Sequence, residues 1–298
     1  MKFAYLVMTE LRAIEKTIQN LYEYIIDPYE ADIFLCVQKT FSDDDKKIEL
    51  FNKNVTYKEV YEKPEPHKYF GLKNKLNSNT LGNWCMPSNL QIYINYNKMS
   101  QVIENIIDNY DYFITFRTDV CLLFPLPEKS FFENIPKAIY SFDASYAKNW
   151  GGCGFSVFIH KNFIINYLKC YYNVISNETY KNYKISPSTN QENFQSICLK
   201  IAGLPNRKYI KNINFYYTAI TTNDYTTWSK PVIHPKYNVV CKYDKQCDEA
   251  YQNYKLWMNK CKWKYYNNCI FLELSPIVIQ YRNYLKNITK NKKIIYRL

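Results

Sequence analysis

A chain of 298 residues can close one large core or two small ones, and its 47% hydrophobic and 18% aromatic content excludes a disordered chain. Its 6 glycines and 3 histidines, with no G-x-G-x-x-G or G-x-x-x-x-G-K-[ST], argue against glycine-rich nucleotide loops and against histidine-based metal or triad chemistry. The net charge of +12 gathers towards the C-terminus, where residues 236–298 hold 13 Lys and Arg against 4 Asp and Glu; the partner of that field is an anionic substrate, nucleic acid, a membrane surface or only solvent.

The first apolar run, KFAYLVM, reads as a strand. Ile14, Ile18, Leu21 and Ile25 follow at helical spacing, and Asp27-Pro28 should end that helix. ADIFLCVQ reads as a second strand, so a parallel βαβ unit and an α/β domain are expected. The apolar run before Thr9 and Glu10 is too short for a signal-peptide core, and no stretch approaches the ~18 apolar residues of a transmembrane helix. The 10 cysteines form no C-x-x-C, and the gaps between Cys241, Cys247, Cys261 and Cys269 fit no common zinc module; reduced thiols and a cytoplasmic location are expected. Residues 40–90, polar and punctuated by prolines, read as loops around short elements.

Met99, Val102, Ile103, Ile106, Ile107 and Tyr110 form an amphipathic stripe that leads into YDYFITFRTDVCLLFP, residues 110–125. There Arg117 and Asp119 interrupt an apolar strand and fall on one side of it, because extended residues alternate faces. Two readings stand: an internal ion pair closing a strand end, or a polar site ready for a metal ion or phosphate. In open α/β sheets the carboxyl end of a strand is where ligands bind.

AIYSF reads as a further strand, followed by a segment in which Gly151, Gly152 and Gly154 cluster, either for close backbone approach to a ligand or for a plain turn. FSVFI reads as a strand with His160 as a strand-end surface histidine; NFIINYLKCYYNVI and TNQENFQSICLKIAG read as helices, the second ended by Gly203. NINFYYTAIT reads as a strand, and helices with basic faces are expected beyond residue 236. KLWMNKCKWKYYNN interleaves lysine with aromatics as single-strand nucleic-acid binders do, which gives a non-catalytic nucleic-acid-binding protein as the alternative function.

Several of these pieces together resemble the GT-A-type glycosyltransferases of large DNA viruses and bacterial polysaccharide gene clusters: YLVMTELR, AIEKTIQNLYEYI and DPYEADIFLCV, then a helix ending YDY, a strand ending Arg117-Thr118-Asp119, the Trp150-Gly151-Gly152 segment, and Asn190-Gln191-Glu192 at a helix start. The Asn-, Lys-, Ile- and Tyr-rich composition suits the AT-rich genome of such a virus. The resemblance covers about the first 230 residues and departs from the family in two places: Arg117 stands where an Asp-x-Asp has its first carboxylate, and GGCGF lacks the acidic residue that often follows the glycines. It implies a GT-A-like open, mostly parallel sheet flanked by helices over residues 1–235, with a basic, mainly helical segment at 236–298 packed on it. It further implies transfer of a sugar from a UDP- or GDP-sugar to a glycan or glycoprotein acceptor, and makes nucleic acid an unexpected partner. Asp119 would be the Mn²⁺ or Mg²⁺ ligand. Thr9, Arg12, Arg117, Gly151 and Gly152 would bind the donor diphosphate, and Glu192, with Asp143 second, would be the catalytic carboxylate.

Overall fold

A computed structural model describes residues 1–8, 10–40, 42–122, 126–143 and 157–204, and the backbone of six short strands between residues 210 and 273. The chain runs through β1 (Phe3–Val7), α1 (Ile14–Leu21), α2 (Asp27–Tyr29), β2 (Asp32–Lys39), α3 (Asp44–Glu49), β3 (Val55–Glu62), α4 (Pro66–Tyr69), α5 (Ser78–Leu81) and α6 (Pro87–Ile103). It continues as β4 (Tyr112–Thr115), β5 (Val120–Leu122), β6 (Ile139–Asp143), β7 (Val157–His160), α7 (Lys161–Ser176) and α8 (Gln191–Ile201). The later strands are β8 (Ile210–Asn214), β9 (Tyr217–Ala219), β10 (Val232–His234), β11 (Val239–Cys241), β12 (Lys262–Tyr266) and β13 (Cys269–Glu273).

Nine strands form one sheet in the order β12-β13-β8-β6-β7-β4-β1-β2-β3, in which β7 and β12 run against the others. β5 with β9 and β10 with β11 make two small antiparallel pairs. The expected α/β architecture with a mostly parallel sheet is therefore present. β1 shows why it forms: all five residues are buried, with Phe3, Tyr5 and Val7 facing one core and Ala4 and Leu6 the other. A strand apolar on both faces must be covered on both. Ile14, Leu21 and the turn around Tyr29 cover the first; Tyr93, Ile94 and Met99 of α6, Tyr167 and Tyr171 of α7, and Phe194 of α8 cover the second.

Three stretches depart from their sequence readings. The first helix does not stop at Asp27-Pro28. It widens into a π turn over Tyr22–Ile26, where the Asp27 N–H reaches the Tyr22 carbonyl five residues back, and α2 accepts Pro28 in its first turn, where no N–H is required. Residues 40–90 contain a full strand, β3, which pairs with β2 up to Lys39–Glu62; Lys58, Glu59 and Glu62 give this edge strand the charges that discourage further pairing. Finally, the region beyond residue 236 contains β11, β12 and β13 where helices were expected, and β13 pairs in parallel with β8 of the main sheet. The lysine–aromatic alternation of Lys262–Tyr266 is thus the period of a strand within that sheet.

His160 ends β7 but is not the expected surface residue: it is 4% exposed. Its Nδ1 accepts the Asn162 N–H at 3.2 Å, capping α7, and its ring meets Tyr112 edge-on. Burial, with Lys137 nearby, pushes its pKa down to about 4. An unfolded chain takes up this proton near pH 6.5, so the contribution to stability is complete above that pH and is lost as the pH falls towards 4. His160→Asn keeps a capping acceptor and removes the titration. In urea melts its stability should fall less between pH 6.5 and 4 than that of the wild type; an equal fall would show that the ring does not govern this window.

Candidate functional site at the carboxyl edge

The chain leaves β1 for β2 and β3 on one side, while β4 lies on the other side of β1. The strand order thus reverses between β1 and β4, so the loops that follow these two strands lie side by side at the carboxyl edge, the place where open α/β sheets bind ligands. Leu6 pairs with Thr115, so the two loops start at the same level.

Side chains from α1 tie the loops together. The Thr118 hydroxyl donates to the Glu10 carbonyl at 2.8 Å, and the Thr17 hydroxyl donates to the Thr118 carbonyl. Asn20 clamps the next strand, donating to the Leu122 carbonyl at 3.0 Å and accepting the Leu122 N–H at 2.7 Å. Thr17 and Asn20 are fully buried beside Ile14 and Leu21. No functional signal marked them; the one available clue was a polar residue on the buried face of an apolar helix stripe, since such a group must find a partner.

Both arginines of these two loops carry their own anion. Arg12 reaches Glu10 Oε2 with Nε at 2.7 Å and Nη2 at 2.6 Å, and its side chain is 57% exposed. Arg117 grips Asp119 with both prongs, Nε to Oδ1 at 2.8 Å and Nη2 to Oδ2 at 2.5 Å. The carboxylate is the inner member, 12% exposed against 42% for the arginine. The alternation expected of an extended run does not apply here, because β4 ends at Thr115 and Thr118 and Asp119 lie in a turn; of the two readings of the motif, the ion pair closing the strand end is formed.

Topology brings the other two acid positions to the same edge. Thr115 and Ser141 both pair with Val157, so Asp143, which ends β6 two residues further on, comes to the same edge of the sheet as the loop that follows β4. α7 starts at the opposite edge, where His160 pairs with Tyr112, and returns, so α8 starts on the carboxyl side with Glu192 as its second residue. The Asn190 side chain accepts the Asn193 N–H at 2.8 Å and caps that helix. Gly82, at φ 95°, lies against the loop before α8: a Cβ there would collide with the Thr189 carbonyl. Asp143 and Glu192 are placed by their backbone, and Thr9, Gly151 and Gly152, expected at the donor diphosphate, lie outside the described residues.

A polar cluster that the sequence did not announce borders the end of β1. Asn95 of α6 donates to the Met8 carbonyl at 2.9 Å and accepts from the Tyr61 hydroxyl and, at 3.3 Å, from the Gln91 amide. Next to it Lys98 pairs with Glu59 at 2.9 Å and lies over the Tyr61 ring. Burial drives the Tyr61 hydroxyl far up in pKa, so it serves as a donor throughout the physiological range. A cavity of about 410 Å³ against Pro28, Tyr29 and Pro127 precedes β2, at the amino end of the sheet and away from this chemistry.

The expectation of a divalent cation on Asp119 meets an ill-suited donor set. Mg²⁺ and Mn²⁺ take oxygen ligands at about 2.1 Å. Both Asp119 oxygens already hold a guanidinium, and a cation placed there would face Arg117 at close range. Among the described residues no three His, Cys, Asp or Glu side chains come together to hold a metal.

No family model and no curated protein matches the chain. Among solved structures it is similar to the crystal structure of a glycosyltransferase involved in the glycosylation of the major capsid of PBCV-1, with 12% identity and a TM-score of 0.37 over 71% of this chain and 82% of that one. Among the described residues no helix is long and apolar enough to cross a membrane.

Proposed function

We propose that this chain is a glycosyltransferase that moves a sugar from a nucleotide-diphosphate donor, a UDP- or GDP-sugar, to a hydroxyl of a glycan or glycoprotein. The observation that supports it is that Arg12 and Arg117 stand on two loops at the switch point that are joined by the Thr118 hydroxyl bonding the Glu10 carbonyl, so that two guanidinium groups are available to a diphosphate at this edge. The ordered motifs of the sequence point the same way, and the Asn-, Lys-, Ile- and Tyr-rich composition agrees with a large DNA virus as the source, with host cytoplasm or the virus factory as the place of work.

In this reaction the acceptor oxygen bonds to the anomeric carbon as that carbon's bond to the diphosphate oxygen breaks. The electron pair leaves with the nucleoside diphosphate, and the acceptor proton passes to a carboxylate. Charge grows on the leaving diphosphate, where Arg12 and Arg117 meet it. Glu192 is the first choice for the proton acceptor and Asp143 the second, both on the carboxyl side of the sheet.

A thermal-shift screen of UDP-, GDP- and dTDP-sugars tests the reading. One nucleotide should raise the melting temperature selectively, and its sugar should then be released slowly to water. If no nucleotide shifts the melt while single-stranded nucleic acid does, with steep salt dependence, the protein is a nucleic-acid binder instead.

A further inference from the structure

We infer that Arg117 is the built-in cation of this site: its guanidinium, held by Asp119, binds the donor diphosphate in the place of a divalent ion, so nucleotide binding needs no metal. The inference rests on the glycosyltransferase reading and names the chemistry by which that site takes its donor.

The order of burial points to it first. The anion of the pair is the inner group and the cation the outer one, so the motif turns its positive member outward at the carboxyl edge. A site meant to seat a metal would turn its carboxylate outward. The grip comes second. Asp119 takes the N–H of Nε and one N–H of Nη2, which fixes the plane of the guanidinium. A planar fork of known orientation is suited to two phosphate oxygens, whereas an unrestrained arginine would have to be ordered on binding.

Rigidity of the support comes third. The turn that carries Arg117 and Asp119 is pinned by Thr118 to Glu10, by Thr17 to Thr118 and by Asn20 to Leu122. Val120–Leu122 is further held by pairing with β9. The cation is thus preorganised at both levels, its own plane and the turn beneath it. Asp119 acts as a positioning residue; Arg117 is the group that touches the diphosphate.

The test is calorimetric titration of the full chain with UDP and with GDP, in EDTA and in millimolar Mn²⁺. One nucleotide should bind in EDTA, with a Kd within about threefold of that in Mn²⁺. Arg117→Ala should weaken it by about 30-fold, the loss of two charge-assisted hydrogen bonds, and affect the nucleoside monophosphate less. Arg117→Lys keeps the charge, loses the fork and should cost about tenfold, which keeps the test decisive if the alanine variant folds poorly. Asp119→Asn should weaken binding equally in both buffers, whereas a metal ligand would show its loss only with Mn²⁺. Binding that requires Mn²⁺, or that ignores both arginine variants, overturns the inference and leaves the glycosyltransferase reading in place. Absence of nucleotide binding in either buffer overturns both.

Discussion

Arg117→Ala is expected to lower the unfolding free energy by about 3 kcal/mol, more than the 1–2 kcal/mol or so expected from Asp119→Asn. The asymmetry follows from which partner is inside. Removing the arginine leaves a carboxylate 12% exposed with its two strongest donors gone. Removing the charge of the acid leaves an arginine that is 42% exposed and can turn to water, while the asparagine oxygen still accepts one of its N–H groups. The double variant Arg117→Ala/Asp119→Asn buries no charge, so it should lose less than the two single changes together, with a coupling of about 1–2 kcal/mol. Urea unfolding at pH 7 measures all four proteins. Nucleotide binding should not return in the double variant, because stability is shared by the pair and diphosphate recognition belongs to the arginine. Equal losses from the two single variants would mean that the pair is solvated on both sides and that Asp119 is not its buried member.

Trp84→Ala should be the most destabilising single change on the second face of the sheet, at about 3–5 kcal/mol and a fall of about 10 °C in melting temperature. The indole is fully buried and stacks on Phe194 of α8, ring centroids 3.7 Å apart at 11°, with Tyr180 edge-on at 5.5 Å. It ties the turn after Gly82 to the helix whose first turn carries Glu192. Its Nε1 has no hydrogen-bond partner among the described residues, so the cost is one of packing and cavity. Trp84→Phe should therefore recover more than half of the loss. If phenylalanine is no better than alanine in thermal melts, the indole nitrogen is bonded after all and the packing account is wrong. Because α8 starts on the carboxyl side, Trp84→Ala should also lower turnover on any donor found in the nucleotide screen.

The elements legible in the sequence were those whose burial is written in apolar residues. KFAYLVM and ADIFLCVQ could only be buried strands, and Ile14, Ile18 and Leu21 only the inner face of the helix between them. The start of α6 at Pro87 was hidden because the inner face of that helix holds Gln91, Asn95, Asn97 and Ser100, which read as surface residues until their partners are known. β3 was hidden because an edge strand shows one face and several charges to water, and β12 because its lysines, among aromatics, suit the basic face of a helix as well as an edge strand.

For the site, the local pattern of residues was enough to put an Arg-x-Asp at the end of an apolar strand; the expected alternation of extended residues does not reach it, because Thr118 and Asp119 lie in a turn. That this end lies beside the loop of β1, that Thr17, Asn20 and Thr118 lock the two loops, and that the acid of the pair is inside and the cation outside came with the fold. Those facts depend on which strands become neighbours and on what covers each side chain. Both are set by contacts between residues about a hundred positions apart, which no local pattern records.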